Sequence, residues 1–382
     1  MKISERTQRR FEQLMSLFDG ESRLLIVMQD HPDPDSIAAA VALRRLVNAL
    51  TEVKCSIAHG GTVGRGENRA LVKYLNLNLH PIDGMEFERY DLIAMVDAQP
   101  GAGNHSLPAG VLPDIVIDHH PCRQLTREVP YSDVRREYGS TCTILVEYLV
   151  HANVSLETSL VTAMLYGIRS DTQDLGREAM QADIEAFEYL YPMANKRMLS
   201  AIQRGSVPRA YFQMLSEALR CARIYDKALV TCLGAADNPD MVAEVADLFL
   251  REDQTAWTLC MGVFEEKMLL SLRTSEDGGR ADQVMKRIVA RRGTGGGHQT
   301  YAGGQIPLKN GSKTEITKLQ TVVRQKYLQA LELEECRFER LVHQGTATAK
   351  PAAKSNGKPT VKPESKPTSK LNGKTVAKPD NR

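Results

Sequence analysis

The chain has 382 residues, 42% of them hydrophobic and 25% charged, which is typical of a soluble globular protein with two or three domains. No stretch approaches the roughly 20 apolar residues of a membrane span, and the polar N-terminus has no signal-peptide pattern. The seven scattered cysteines contain no Cys-x-x-Cys pair, which argues against a disulfide scaffold or a zinc ribbon and indicates reduced thiols in a cytoplasmic protein. The net charge of +2 combines +7 in residues 345–382 with −5 in the rest, so it does not exclude a polyanionic partner.

Short apolar runs alternate with helical patterns in the first part of the chain. The predicted helices cover 5–17, 36–50 and 69–75, and the predicted buried strands cover 24–28, 53–58, 92–96 and 115–117. Residues 139–225 are largely helical in pattern. Strands that alternate with helices predict an α/β fold with a parallel sheet and helices on both faces.

The α/β pattern starts again after residue 225. The predicted elements are a strand at 228–233, a helix at 241–250, a hairpin of 257–264 and 267–272 and a helix at 281–290. A glycine-rich element at 293–304 then precedes a strand and a final helix over 313–342. We therefore predict a domain of residues 1–195, a helical linker of 196–225 and a second, smaller α/β domain of 226–344.

The last segment, residues 345–382, consists mostly of Lys, Pro and small residues, with a Lys at every fourth position from Lys350 to Lys378. It can bury too little apolar surface to offset its chain entropy, so we predict that it is disordered. Two interpretations remain for this tail. It is either a solvated extension or a basic segment that contacts RNA, ribosomes or anionic surfaces.

Acidic and histidine side chains directly follow four apolar runs. They occur in the segment 29–35 (Gln-Asp-His-Pro-Asp-Pro-Asp), at Asp97, in Asp-His-His at 118–120 and at Asp171. Each alone would fit a helix cap or a turn. Together they would converge beyond the carboxyl ends of the strands, where open α/β sheets bind ligands. Carboxylates with imidazoles suit Mn²⁺, Mg²⁺ or Fe, and two such ions can clamp a phosphoryl group, so the residues point to phosphoester hydrolysis.

These motifs resemble those of the DHH phosphoesterase superfamily in type and order. The matching segments are His-Pro-Asp-Pro-Asp-Ser at 31–36, Asp97, Asp-His-His at 118–120 and Gly-Ile-Arg-Ser-Asp at 167–171. In the second domain, Ser-Leu-Arg-Thr-Ser at 271–275, Gly-Gly-Gly-His at 295–298 and Ala-Gly-Gly at 302–304 look like the DHHA1 substrate-binding module. The resemblance covers about residues 22–310. It is nearest to the NrnA-like oligoribonucleases and 3′-phosphoadenosine 5′-phosphate phosphatases, because RecJ-type exonucleases are larger.

The resemblance implies two divalent cations, with Mn²⁺ expected and Mg²⁺ as the alternative. The first ion would be held by position 29, Asp33 and Asp97. The second would be held by Asp35, Asp97, His119 and Asp171. His120 would face the scissile phosphate, and Asp118 would orient an imidazole.

Position 29 departs from the family pattern, because Gln29 stands where the family has a His. A Gln carbonyl can bind a hard cation, but it is a weaker ligand than an imidazole. His31, two residues further on, would replace it if the loop bends. The departure puts the affinity of the first cation site in doubt.

The resemblance also implies a substrate site in the second domain, formed by Arg273, the glycines Gly295, Gly296 and Gly297, and His298. Arginine suits bidentate phosphate contacts, and glycines let backbone N–H groups approach an anion closely. The glycines would also fit a flexible loop. Ser140, which precedes a predicted helix, is either a plain N-cap or part of an anion site.

Three functions follow from these residues. The first is a metal-dependent hydrolase of short RNA or DNA oligonucleotides and nucleoside bisphosphates. The second is a phosphodiesterase of linear or cyclic dinucleotides, and the third is a nucleotide-binding regulatory protein with an impaired metal site. A homodimer is compatible with all three.

Overall fold

The computed structural model of this protein describes residues 1, 3–176 and 179–342, and the predicted disordered tail of 345–382 lies outside them. The first sheet consists of β1 (Arg23–Val27), β2 (Lys54–His59), β3 (His80–Pro81), β4 (Leu92–Val96), β5 (Ile115–Asp118) and β6 (Tyr131–Val134). Their spatial order is β3-β2-β1-β4-β5-β6, and every neighbouring pair is parallel. The predicted α/β class with a parallel sheet is confirmed.

The helices beside this sheet share one hydrophobic core. They are α1 (Glu5–Ser16), α2 (Pro34–Leu50), α3 (Gly66–Tyr74), α4 (Thr141–His151), α5 (Thr158–Asp171), α6 (Gln181–Leu190) and α7 (Lys196–Gln203). Side chains alternate across β1, so Leu24 and Ile26 pack in the helical core while Leu25 and Val27 face the other side. That side is covered by loops and a 3₁₀-helix (Phe87–Arg89). Helices were predicted on both faces, but the α-helices in the described part of this domain lie on one.

The second domain is built from the helices and strands after residue 208. They are α8 (Arg209–Cys221), β7 (Arg223–Tyr225), β8 (Ala228–Ala235), α9 (Asp240–Phe249), β9 (Trp257–Phe264), β10 (Lys267–Thr274), α10 (Ala281–Val289), β11 (Thr294–Gly297), β12 (Tyr301–Pro307), α11 (Lys313–Ala330) and β13 (Glu339–Arg340). The spatial order is β11-β12-β10-β9-β8-β7-β13. Only β8 and β9 are parallel among the described pairs of this sheet, so the second domain is a mixed α/β structure.

Three parts of this second domain differ from the sequence prediction. Residues 223–225, predicted as the end of the helical linker, form the strand β7. The glycine-rich element at 293–304 contains β11 and the start of β12, which pair antiparallel. The last helix, α11, ends at Ala330 rather than continuing to residue 342. It ends there because the Leu331 N–H bonds back to the preceding turn and Glu332 adopts a left-handed φ of +59°.

The two helices of the predicted linker pack on different cores. In α7, Met198, Leu199 and Ile202 belong to the core of the first sheet. In α8, Met214 and Ala218 pack with residues of β8 and α9. The chain therefore passes from one core to the other within residues 204–208.

No helix among the described residues is long and apolar enough to cross a membrane. All seven cysteines lie in the described part of the chain and are free thiols. Cys142 and Cys260 are buried, and burial raises the pKa of each thiol well above its usual range, with the Asp35 carboxylate adding to the rise at Cys142.

Candidate metal centre and substrate cavity

The segment 29–35 and Asp97 follow the two central strands, β1 and β4, where the strand order of the first sheet reverses, while the Asp-His-His segment follows β5 and Asp171 ends α5. The strands β1 and β4 are neighbours. After β1 the chain continues to β2 on one side of this pair, and after β4 it continues to β5 on the other side. This crevice at the carboxyl ends is where doubly wound sheets bind ligands. Asp97 occupies it with a left-handed φ of +56°, which an Asp adopts more readily than most residues, and its N–H donates to the Ile117 carbonyl over 3.0 Å. The turn after β4 therefore places this carboxylate at the crevice.

The N-terminus of α4 binds the carboxylate of Asp35. The Asp35 oxygens accept hydrogen bonds from the Thr141 N–H at 2.7 Å, the Cys142 N–H at 3.0 Å and the Ser140 hydroxyl at 2.5 Å. Ser140 is also the N-cap, because its Oγ accepts from the Cys142 N–H. The N–H groups and dipole of a helix N-terminus stabilise an anion, and here that anion is Asp35.

His119 is oriented by one ring nitrogen and presents the other to two carboxylates. Its Nδ1 lies 3.2 Å from the Tyr138 carbonyl oxygen. Its Nε2 lies 3.2 Å from Asp171 Oδ2 and 3.6 Å from Asp97 Oδ1. One ligand atom from each of His119, Asp35, Asp97 and Asp171 lies within 4.8 Å of the others. The four residues expected to hold the second cation are therefore brought together.

One atom of this cluster is left without a hydrogen bond. Asp97 Oδ2 is buried and has no hydrogen-bond partner in the described part of the chain. A buried carboxylate oxygen without a partner is costly unless a cation binds it. The donor set of three carboxylates and one imidazole therefore fits a hard divalent cation.

The cluster strongly shifts the pKa values of its members. Burial raises the pKa of Asp97 far above its usual range, and the neighbouring charges of Asp33, Asp35 and Asp171 raise it further. Burial lowers the pKa of His119, but its close approach to Asp171 outweighs this and brings the value to about 10. In the metal-free protein the imidazolium of His119 therefore supplies part of the positive charge that the carboxylates require.

His120 is held by Asp118 at the edge of the same cluster. Its Nδ1 lies 2.9 Å from Asp118 Oδ1, so Nε2 is the ring nitrogen that can meet a substrate. The Gln99 amide donates to the other oxygen of Asp118 over 2.7 Å. Burial acts to raise the pKa of Asp118, but the hydrogen bond and charge of His120 bring it below its usual range. Asp118 therefore stays ionised and fixes the imidazole of His120.

The expected residues of the first cation site are only partly assembled. Asp33 caps α2, with its Oδ1 accepting from the Ser36 N–H at 2.9 Å. Burial and the charges of Asp171 and Asp35 raise its pKa to about 7, so Asp33 lies in the field of the cluster. The side-chain oxygen of Gln29 accepts a hydrogen bond from the Asn104 amide at 3.1 Å.

His31 takes a different direction from the other motif residues. Its ring lies over Gly61, where an added Cβ would come within 2.6 Å of the ring, and its Nδ1 accepts from the Thr62 N–H at 3.2 Å. It lines the large cavity described next, and it is absent from the described clusters of metal-binding side chains.

A cavity of about 1070 Å³ lies between the two domains. The residues expected to bind substrate that line it are Arg273, Gly295, Gly296 and Gly297. His298 lies at the metal cluster, since its ring centroid is 6.1 Å from that of His120, and it stacks on Tyr301 at 4.6 Å. His298 therefore brings one second-domain motif beside the metal cluster, while Arg273 and the glycines line the cavity.

The glycines of β11 and β12 have two different environments. A Cβ on Gly295 or Gly304 would come within 2.9 Å or 2.6 Å of Met285 on α10. A Cβ on Gly296 or Gly303 would meet nothing within 4 Å. The Gly295–Gly304 pair is therefore required for helix packing, whereas the Gly296–Gly303 pair leaves bare backbone beside the cavity.

Two residues outside the motifs, Gln99 and Asp183, position the cluster, and Gly167 within a motif has a packing role that the sequence did not reveal. Gln99 holds Asp118, as described above. Asp183 is buried and accepts from the Gly139 N–H at 2.8 Å and from the Thr143 hydroxyl at 2.5 Å, which fixes the start of α4. A Cβ on Gly167 would come within 3.1 Å of the Asp35 Cα, so this glycine lets α5 pack against α2. Asp183 gave no signal, because an Asp in the first turn of a helix is an ordinary capping residue.

The chain matches two protein families over most of its length. Residues 23–168 match the DHH family, N-terminal domain, and residues 226–327 match the DHHA1 domain. An uncharacterized protein of Methanocaldococcus jannaschii is 31% identical over 325 residues, which cover 83% of this chain and 66% of the relative. The chain thus spans slightly less than two thirds of that relative's length.

Solved structures show the same fold at low sequence identity. An exopolyphosphatase-related protein from Bacteroides fragilis matches with a TM-score of 0.64 and 12% identity, over 85% of this chain and 98% of the other. RecJ from Thermus thermophilus, in complex with Mn²⁺, matches with a TM-score of 0.50 and 15% identity, over 88% of this chain and 60% of the other.

Proposed function

The chain belongs to the DHH/DHHA1 superfamily of phosphoric ester hydrolases, and we propose that it uses two divalent cations to hydrolyse short oligonucleotides to mononucleotides or to dephosphorylate nucleoside bisphosphates. The observation that carries this proposal is the buried cluster of Asp35, Asp97, His119 and Asp171. The buried Asp97 Oδ2, which has no hydrogen-bond partner among the described residues, supports a bound cation. The adjoining cavity supports a nucleotide-sized substrate.

We assign the cation ligands as the family resemblance suggests. Asp35, Asp97, His119 and Asp171 would hold one ion. Asp33 and Asp97, with Gln29 as a weak third ligand, would hold the other. When bound, the ions would supply Lewis-acid stabilisation of the charge that develops on the phosphoryl oxygens. Mn²⁺ is our first choice, because the RecJ structure that shares this fold contains it, and Mg²⁺ is the alternative.

Protein side chains would perform the remaining tasks. His120, held through Nδ1 by Asp118, is placed to stabilise or protonate the departing oxygen through Nε2. Arg273 is placed to bind a phosphate of the substrate. Its Nη1 donates to Ser271 Oγ at 2.9 Å and its Nε to Asp247, which holds the guanidinium against the cavity wall.

A second candidate is a nucleotide-binding regulatory protein with a weakened first cation site. The observation that favours it is the hydrogen bond between Gln29 and Asn104, which occupies the side-chain oxygen at the position where the family has an imidazole. Under this alternative the protein binds nucleotides in the cavity but turns them over slowly.

The test is a substrate panel with Mn²⁺ and with Mg²⁺. The panel contains 3′-phosphoadenosine 5′-phosphate, a linear dinucleotide, a cyclic dinucleotide and a long RNA, and Asp97→Ala is the matched inactive control. We expect release of phosphate or mononucleotide from the bisphosphate and the linear dinucleotide by the wild type alone. Preferential hydrolysis of the cyclic dinucleotide would replace the substrate assignment. Binding without product from any substrate would favour the regulatory alternative.

A further inference from the structure

A buried network of charged and hydroxyl side chains joins β6, α1 and α4. Arg135, directly after β6, is 1% exposed, and its guanidinium donates to Asp133 over 2.7 Å and to Glu147 over 2.6 Å. The Thr7 hydroxyl of α1 also donates to Glu147, over 2.5 Å. The desolvation penalty of buried charges can equal or exceed their mutual attraction, so the network is weak evidence for added stability. Its contacts with the metal cluster indicate a different role.

The network reaches the metal cluster through Tyr138. The Tyr138 hydroxyl donates to Glu147 Oε1 over 2.7 Å and accepts from Arg135 Nη1 over 3.0 Å. The Tyr138 N–H donates to the Arg135 carbonyl over 3.0 Å, so the main chain of this residue is held as well. The Tyr138 carbonyl oxygen lies 3.2 Å from His119 Nδ1. Because a carbonyl only accepts, this bond requires a proton on Nδ1 and leaves Nε2 as the ring nitrogen that faces the carboxylates.

The chain from Tyr138 to Thr141 contacts three of the four residues that would hold the second cation. The Tyr138 carbonyl orients His119. The Thr141 hydroxyl donates to Asp97 over 3.0 Å, and the Thr141 N–H donates to Asp35 over 2.7 Å. These three ligands come from different parts of the sequence, and this one segment touches them all. A network that fixes the start of the segment therefore sets the relative positions of the three side chains.

We propose that Tyr138 is a positioning residue of the metal centre. Its hydroxyl, held by Glu147 and Arg135, fixes the main-chain carbonyl that keeps the His119 ring in its ligand orientation. The inference rests on the proposed function, because it treats the cluster as a cation site, and it adds a residue outside the motif segments. The competing explanation is that the network only anchors α1 to the domain, through Thr7.

The experiment compares two substitutions that each remove one hydroxyl from the network. Tyr138→Phe keeps the ring and the main chain. Tyr131→Phe is the matched control, because its hydroxyl lies 2.6 Å from that of Tyr148, which in turn donates to Asp133, at the opposite end of the network. Mn²⁺ affinity is measured by electron paramagnetic resonance. Loss of an outer partner of a metal-binding His costs about 10–100-fold in affinity, and Tyr138→Phe retains the carbonyl, so we expect a loss of about five- to tenfold at the site that includes His119. Tyr131→Phe should bind Mn²⁺ like the wild type, although both variants should lose a few °C in Tm.

A second measurement does not require a bound cation. Exchange of the His119 ring Nδ1–H with solvent is followed by NMR in EDTA, and the signal is assigned by its absence in His119→Gln. We expect faster exchange in Tyr138→Phe than in the wild type and Tyr131→Phe. Equal exchange rates in all three proteins, unchanged Mn²⁺ affinity in Tyr138→Phe, or equal losses of affinity in both variants would overturn the positioning role. A wild type that binds no Mn²⁺ but shows the expected difference in exchange overturns the proposed metal centre and leaves Tyr138 as the residue that orients His119.

Discussion

Replacing Asp97 by Asn should stabilise the metal-free protein while it removes hydrolysis. Asp97 is fully buried, its Oδ2 has no hydrogen-bond partner among the described residues, and its charge is opposed by nearby carboxylates. The amide removes this charge and keeps the oxygen that accepts from the Thr141 hydroxyl at 3.0 Å. The amide also places an N–H donor beside the neighbouring carboxylate oxygens. Asn adopts the backbone φ of +56° at this position more readily than most residues do.

The size of the effect follows from the buried oxygen. A buried polar atom without a partner costs about 1–3 kcal/mol, and a charged one costs more. The substitution also removes the attraction between the Asp97 carboxylate and His119, whose Nε2 lies 3.6 Å from Asp97 Oδ1. This loss offsets part of the gain in stability. We therefore expect the free energy of unfolding in EDTA to rise by about 1–3 kcal/mol, a Tm increase of a few °C.

A matched control is Asp133→Asn, the same chemical change at another buried carboxylate. Asp133 accepts from Arg135 at 2.7 Å and from the Tyr148 hydroxyl at 2.6 Å. Removing one partner of a buried ion pair costs about 3–5 kcal/mol, so this variant should be destabilised.

Urea and thermal unfolding in EDTA and in Mn²⁺ measure both variants. Mn²⁺ should stabilise the wild type and Asp133→Asn by mass action but stabilise Asp97→Asn much less. Lower stability of Asp97→Asn than of the wild type in EDTA would refute the reasoning that the metal-free cluster is strained by its charge.

Three further predictions follow from the site. Gln29→His should lower the Mn²⁺ concentration for half-maximal activity, and an unchanged metal titration would contradict it. Gly295→Ala should lose about 1–3 kcal/mol of stability by overpacking against Met285, whereas Gly303→Ala should unfold like the wild type in the same urea titration. Burial and neighbouring carboxylates raise the folded-state pKa of Asp33 from 3.8 to about 7, so folding takes up a proton between these values. The Asp33 contribution to stability in EDTA should therefore fall as pH rises from about 4 to about 7, measured as the difference between wild type and Asp33→Asn. A difference that does not change with pH would show that Asp33 is not perturbed.

The fold of the first domain was predictable because its central strands carry short apolar runs separated by helical patterns. The strands β1, β4 and β5 lie within a residue of their predicted positions. The edge strand β3 was missed because two residues carry too little pattern, and β6 was missed because the polar Ser132 and Asp133 interrupt its apolar residues. The glycine strand β11 was missed for a different reason. Glycine has a low strand propensity, so only its pairing with β12 makes it a strand.

The convergence of the acidic motifs was predictable from strand topology, but side-chain directions were not. The sequence left Ser140 open between a cap and an anion site, and the structure shows that its hydroxyl caps α4 and binds Asp35. The hydrogen bond between Gln29 and Asn104 joins residues 75 positions apart. Such contacts depend on tertiary packing, so one sequence could not reveal them.

The most direct test of the central claim is a count of bound Mn²⁺ ions per chain by electron paramagnetic resonance, which detects the free ion. We expect two Mn²⁺ sites in the wild type. Asp171→Asn and His119→Gln should each weaken Mn²⁺ binding at the tighter of the two. Binding should also release protons, because the cation replaces the proton on His119. No bound Mn²⁺ in the wild type, or unchanged binding in both variants, would contradict the assignment of the buried cluster as a metal centre.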